Sequence, residues 1–339
     1  MFWNSLVLTM LAGFMNGTYA FPIKYMKSWK EENIWLVFSP IAFLLMPWFC
    51  LSIMNYQTIR FIGHMPENIL FILILGGFLF GIGMIVFTLS LRFVGIGISF
   101  MLNISSSTVI ATLLPILTIN PAKLASWFGL AEIFALVLFC IAMVTSYLAS
   151  SYKVANKAEK EKSHVQANAV KGVSLGILSG ILTSAQGFSY AYATTLLQTK
   201  FANYPGEIIM SSPWIPIFSA AFVPYFGYFL FRCLRDKSLK NIVTRPSINY
   251  VPLCIIMGIL YFGSLLVFDH ASLLLGNMGV VIAWPLLMIF IILTSNLWSF
   301  IHQEWRKAHR LAFNYLSVSL FCLILAVASL SFASYLNMT

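Results

Sequence analysis

The chain is short of charge and nearly devoid of aspartate. Asp, Glu, Lys and Arg make up 9% of its 339 residues, and Asp236 and Asp269 are the only aspartates. So little charge cannot cover a soluble surface of this size. Paired aspartates, an HExxH stretch and a GxxxxGK[ST] phosphate loop are all missing, which argues against an intramembrane enzyme and a nucleotide-driven pump. The five cysteines form no CxxC and no His/Cys cluster at ligand spacing. Cys50, Cys140, Cys254 and Cys322 lie in apolar runs, and Cys233 begins a basic loop. Neither a disulfide framework nor a metal or other cofactor is expected. Alternating polar and apolar strands are absent as well, so a membrane β-barrel is not indicated.

What is present is apolar: 60% hydrophobic and 16% aromatic residues, with a mean hydropathy of +0.88. A bilayer core of about 30 Å takes roughly 20 apolar residues per helix. Ten such segments lie near 4–22, 34–53, 68–91, 93–118, 125–148, 173–196, 208–231, 248–268, 277–300 and 312–335. The first is expected to belong to the fold rather than to a signal, because no Lys or Arg precedes it. Its LAGFMNG (Leu11 to Gly17) is also similar to LSGILTS (Leu178 to Ser184) in the sixth.

Of the 20 basic residues, only Arg60, Lys123 and Lys200 fall after even-numbered segments. The positive-inside rule then puts the odd connections in the cytoplasm and both termini outside a cytoplasmic (inner or plasma) membrane. The net charge of +10 reads as a topology signal, with the bilayer and no nucleic acid as the partner.

Two segment pairs share one offset. GGFLFG (Gly76 to Gly81) recurs as GILYFG (Gly258 to Gly263), and LFCIAMVTS (Leu138 to Ser146) as LFCLILAVAS from Leu320. The glycines in the first pair suit close helix packing. The most charged stretch, Ser150 to Gly172, divides the chain at its middle. The expected organisation is therefore a five-helix repeat over 1–149, a charged cytoplasmic linker over 150–172 and a second repeat over 173–339. Five is odd, so the repeats enter from opposite faces. That inverted arrangement places a substrate site near the midplane and lets rocking of the halves alternate its access.

Several stretches carry a resemblance to a known family. TYAFPIKYMKSW (Thr18 to Trp29), LLMPWF (Leu44 to Phe49), FGIGMIVFTLSLRFVGIGIS (Phe80 to Ser99), FDHA (Phe268 to Ala271) and EWRKAHR (Glu304 to Arg310) are met in that order. Over nearly its full length the chain resembles the L-rhamnose/proton symporter family of the drug/metabolite transporter superfamily. The resemblance implies the all-α, ten-helix drug/metabolite transporter fold. It further implies a cavity lined by helices 1, 3, 4, 6, 8 and 9, with helices 5 and 10 peripheral. The chain departs from the family pattern at FMLNISSSTV (Phe100 to Val109) and at Glu132.

Polar groups inside the apolar segments are the candidate site. Asn16 and Tyr19 on the first helix, and Gln186 and Tyr190 on the sixth, suit hydrogen bonding to a neutral polar solute and stacking on it. On the fourth, Asn103, Ser106 and Ser107 share a face, although a serine can also turn back onto the preceding turn's carbonyl. Tyr261 on the eighth, and Trp284 ahead of Pro285 on the ninth, add aromatic surface.

For proton coupling the candidates are Glu132, Asp269 and His270. Glu132 lies well inside an apolar segment, where a carboxyl is a functional candidate or bonds a neighbouring helix or a second copy in a homodimer. Asp269 and His270 fall at a helix end, suited to an outer gate or to receiving the proton. Lys24 is read as a cation at the membrane edge. The function expected is secondary active uptake of a small polar metabolite, sugar-like as the resemblance implies, by proton symport. The alternatives are export of amino acids, nucleobases or amphipathic drugs, and a non-transporting scaffold or channel.

Overall fold

The computed structural model describes residues 2–54, 56–119, 126–152, 159–243, 249–274, 279–306 and 308–336. Helices and short turns make up this set, with no strand among the described residues. Among the described residues six stretches are long and apolar enough to cross a membrane: Trp3–Tyr25, Glu31–Ile53, Glu67–Val94, Gly129–Ala149, Gly206–Arg235 and Val251–Leu274. Shorter apolar stretches occupy Ile96–Ile110, Leu286–Ile301 and Arg310–Ala326. The chain is a multi-pass membrane protein.

The first element, α1 (Phe2–Thr18), leads into a 3-10 turn at Phe21–Tyr25. Next, α2 (Glu31–Pro40) passes through a π-helical turn at Ile41–Leu45 into α3 (Met46–Met54), so one crossing carries a bulge just after Pro40. A short α4 (Tyr56–Ile62) precedes α5 (Glu67–Val94). Between α5 and α6 (Ile96–Ile119) the turn is made at Gly95, whose φ of 85° favours a residue without a Cβ. Then come α7 (Trp127–Tyr152) and α8 (Glu159–Lys200). Pro205 and Pro213 set off a short α9 (Gly206–Ser211) ahead of α10 (Trp214–Arg235). The last three are α11 (Val251–Leu274), α12 (Gly279–Ile301) and α13 (Arg310–Leu336). The charged stretch expected as a linker is largely helical, because α8 starts at Glu159 and continues unbroken for 42 residues.

Packing follows a pattern that positions the site. α1 lies against α11 and α12, and α8 lies against α5 and α6. The α5 helix meets α10, and α11 meets the π-turn and α2. Across the middle α6 touches α12, while α7 and α13 form a pair leaning on α6 and α12.

Small residues permit these approaches. A Cβ on Gly13 would overlap Phe290 of α12, and one on Gly180 would overlap the Asn103 carbonyl of α6. Gly76 and Gly81 sit against Ser189 and Ala221 in the same way. With no hydrophobic drive between helices in lipid, such close van der Waals contact supplies much of the cohesion.

Candidate functional site

Where α1, α5, α6, α8, α11 and α12 converge they enclose a cavity of about 90 Å³. Asn16 and Tyr19 reach it from α1 and the turn that follows, Asn103 and Ser107 from α6, and Gln186 from α8. Tyr261 of α11 and Trp284 of α12 complete its polar and aromatic wall. Among the described residues no Asp, Glu, Lys or Arg lines it.

The two asparagines are held in related ways. Asn16 donates from Nδ2 to Ser264 Oγ at 2.8 Å, which fixes α1 to α11. Asn103 donates from Nδ2 to Ser179 Oγ at 2.8 Å and to Thr183 Oγ1 at 3.1 Å, which fixes α6 to α8. Asn16 spends one N–H on the scaffold and Asn103 both, and each keeps its carbonyl for another partner.

Other lining groups keep more. The Gln186 carboxamide, the Tyr19 and Tyr261 hydroxyls, Ser107 Oγ and Trp284 Nε1 have no hydrogen-bond partner among the described residues. None of them belongs to the polar atoms sealed from solvent without one. They open on the cavity as a set of neutral donors and acceptors.

Rings supply the remaining surface. Tyr19 meets Tyr261 edge to face at 5.0 Å and Phe100 at 5.9 Å, and Phe87 meets Phe100 at 5.0 Å. Trp284 is braced by Phe268 at 5.3 Å. Neutral hydrogen-bonding groups between aromatic faces suit a small hydroxylated solute.

Some candidates lie elsewhere. Ser106 turns back to the Leu102 carbonyl at 2.7 Å and toward Met143 Sδ at 3.2 Å, away from the cavity. Tyr190, one turn beyond Gln186, is fully packed. Its ring stacks on Trp214 at 4.2 Å and its hydroxyl donates to Asp269 Oδ1 at 3.0 Å. Trp214 Nε1 donates to the other oxygen, Oδ2, at 2.7 Å.

Asp269 and His270 both border a second cavity of about 130 Å³ with Glu207, Ser211 and Thr58. There Asp269 is 5% exposed, whereas His270 faces outward. Glu132 lies on α7, with its side chain outside the described residues.

At the opposite end the helices are tied by charge. Lys24 Nζ pairs with Glu304 Oε1 at 2.7 Å, and Glu304 Oε2 accepts from Ser299 Oγ at 2.8 Å. Trp298 Nε1 donates to Thr18 Oγ1 at 2.9 Å, and Phe21 is stacked on His302 at 4.8 Å. These contacts close the end of α1 against the end of α12. Burial holds His302 below the ordinary histidine range, and the Lys24 charge adds to the effect.

A family profile described as L-rhamnose-proton symport protein matches residues 2–334. The chain belongs to that family. Among its relatives is an L-rhamnose-proton symporter of Escherichia coli O1:K1 / APEC, 23% identical over 320 residues, covering 91% of this chain and 90% of the relative. The one from Shigella dysenteriae serotype 1 is also 23% identical with the same coverage. The symporter of Salmonella gallinarum is 22% identical over 322 residues, again at 91% and 90%. Membership in a symporter family makes this chain a transporter rather than an enzyme.

Within this family member, two parts of the structure escaped the sequence reading. Trp214 carries an indole inside an apolar run, and its signal was the need of Asp269, an intramembrane carboxylate, for a donor. The Lys24 and Glu304 pair joins residues 280 apart in sequence. Both stood in family-like stretches, but nothing in either stretch said that they meet.

Proposed function

We propose that this chain takes up L-rhamnose, or a closely similar small hydroxylated metabolite, together with protons, through ten crossings arranged as two inverted five-helix repeats. One observation carries the substrate class: among the described residues the central cavity presents neutral donors and acceptors without protein partners, set between rings, and no charged side chain. A neutral sugar offers hydroxyls to such groups, while an anion or cation would enter without a counter-charge. The names borne by the relatives supply the sugar and the coupling ion.

The exchange pattern of the packing supports the repeat. Swapping α1 for α8, α5 for α11 and α6 for α12 turns the contacts of α1 into those of α8. The same swap exchanges the contact of α5 with α10 for that of α11 with the π-turn and α2. In this arrangement the basic loops face the cytoplasm and both termini face outward, as the distribution of Lys and Arg supports. The Lys24 and Glu304 contacts are then the inner gate.

The test is uptake into proteoliposomes. With an inwardly directed proton gradient, labelled L-rhamnose accumulates above its external concentration, and a protonophore abolishes the accumulation. Flux that is linear in concentration and indifferent to the gradient would remove symport and leave a channel.

A further inference from the structure

The second cavity, away from the central site, ends on a buried carboxyl whose partners are unusual. Asp269 has no Lys or Arg paired with it among the described residues. Each of its oxygens instead takes one neutral donor, Tyr190 at Oδ1 and Trp214 at Oδ2. An indole N–H can only donate, so Oδ2 stays an acceptor in every state. A phenol hydroxyl can also accept, and this one has a second acceptor in reach, Met210 Sδ at 3.5 Å.

We infer that Asp269 is the proton-carrying residue of the transport cycle and that the Tyr190 hydroxyl is the switch connecting it to the substrate cavity. This inference rests on the proton-symport reading above. In the ionised state Tyr190 donates to Oδ1. A proton arriving through the second cavity binds Oδ1, which then donates to the Tyr190 oxygen. The Tyr190 proton turns to Met210 Sδ. No bond other than hydrogen bonds and the new carboxyl O–H changes, and one unit of charge is neutralised inside the membrane.

Two helices pass the event inward. Tyr190 lies four residues from Gln186 on α8, about 6 Å along the axis, and Asp269 lies eight from Tyr261 on α11, about 12 Å. Each helix thus bears one group at the proton site and one at the central cavity. Among the described residues the titratable groups around Asp269 are Tyr190 of α8, Glu207 of α9 and its neighbour His270. The other elements bring Trp214, Leu51 and Thr58, together with Ser5 of α1, which bonds the Ala271 carbonyl. Glu207 and His270 are exposed, placed to deliver the proton rather than to hold it.

Infrared difference spectra of the purified chain, acid minus alkaline and without substrate, test the assignment. A protonated-carboxyl C=O band is expected that disappears in Asp269→Asn and persists in Glu132→Gln. Because no sugar is present, this outcome stands even for a chain that does not carry L-rhamnose.

In proteoliposomes Asp269→Asn should retain equilibrium exchange and lose all proton-driven accumulation. Tyr190→Phe keeps the stack on Trp214 and the carboxyl band, yet should lose the change in that band on adding substrate. Should Asp269→Asn not fold, Tyr190→Phe and Trp214→Phe each remove one hydrogen-bond partner of the carboxyl, the first the acceptor of its O–H and the second the donor to its C=O. The band must then shift to higher frequency in both if Asp269 is its source. A band that survives Asp269→Asn or ignores both partner deletions overturns the inference. So does uphill uptake by Asp269→Asn with the normal pH profile.

Discussion

The two ends of the helix assembly are held by opposite kinds of chemistry. At the basic end, Lys24 meets Glu304, Arg92 meets Glu31 at 2.9 Å and Arg232 meets Glu32 at 3.5 Å. At the far end, one buried carboxyl is held by two neutral donors and a ring stack. Arg92 and Glu31 pair near water, where an ion pair is worth little. Glu304 and Glu32 are largely covered and depend on their cations; the Lys24 and Glu304 pair is the one that opens in the proposed cycle. A buried charge without a counter-ion is costly, so its protonation state has leverage over the packing around it. In the proposed cycle one end parts and the other registers a proton.

The contrast is broken most severely at Trp214. It is fully buried, stacked and hydrogen-bonded, so Trp214→Ala should cost about 3–5 kcal/mol, read as a lower denaturation midpoint in detergent. A loss no larger than that from an exposed ion pair would erase the difference between the ends.

Lys24→Met sharpens the other side. The Lys24 side chain is 33% exposed but that of Glu304 only 13%, so stability should fall by about 1–3 kcal/mol, less than at Trp214, because a half-covered carboxylate loses its partner. A cysteine introduced at Ser107, beside the cavity, should nevertheless react faster with reagents added from the cytoplasmic side. Unchanged labelling would mean that the pair does not gate.

The smallest effect concerns pH at the gate. Burial, and then the Lys24 charge, hold His302 below the ordinary histidine range. Its contribution is therefore present above the unfolded histidine value of about 6.5 and lost as pH falls through the lower folded value. Acidification should then loosen the contact of Phe21 with His302, and His302→Gln should flatten the pH dependence of cytoplasmic labelling. An identical profile in that variant would assign the pH response elsewhere.

How much could be read from the sequence depended on what each residue is surrounded by. Asn16, Gln186 and Tyr261 stood out because a polar side chain in an apolar run needs a reason to be there, and helical spacing brought Asn103 and Ser107 to one side. The apolar lining, such as Phe87, Phe100 and Met288, was silent, since in a membrane helix a cavity-facing and a lipid-facing phenylalanine look alike. Ser106 misled because a serine can satisfy itself on the carbonyl one turn back. Tyr190 was legible as polar but not as the partner of Asp269, 79 residues away. The α8 helix was longer than its apolar part, because Ala, Lys, Glu and Gln carry helix propensity through water. The π-turn of the second crossing lies directly after Pro40, a position that spacing alone did not mark as a bulge.

The central claim is that the neutral cavity binds the sugar. It is tested most directly by following the melting temperature of the purified protein as L-rhamnose is added, for the native chain, Gln186→Ala and Ser106→Ala. A ligand that binds only the folded state raises stability by mass action. The native chain should be stabilised saturably. Gln186→Ala should need more sugar, by roughly the 0.5–1.5 kcal/mol of one hydrogen bond, and Ser106→Ala should follow the native curve. No stabilisation by L-rhamnose or another hydroxylated metabolite, or a Gln186→Ala curve that coincides with the native one, would contradict the account.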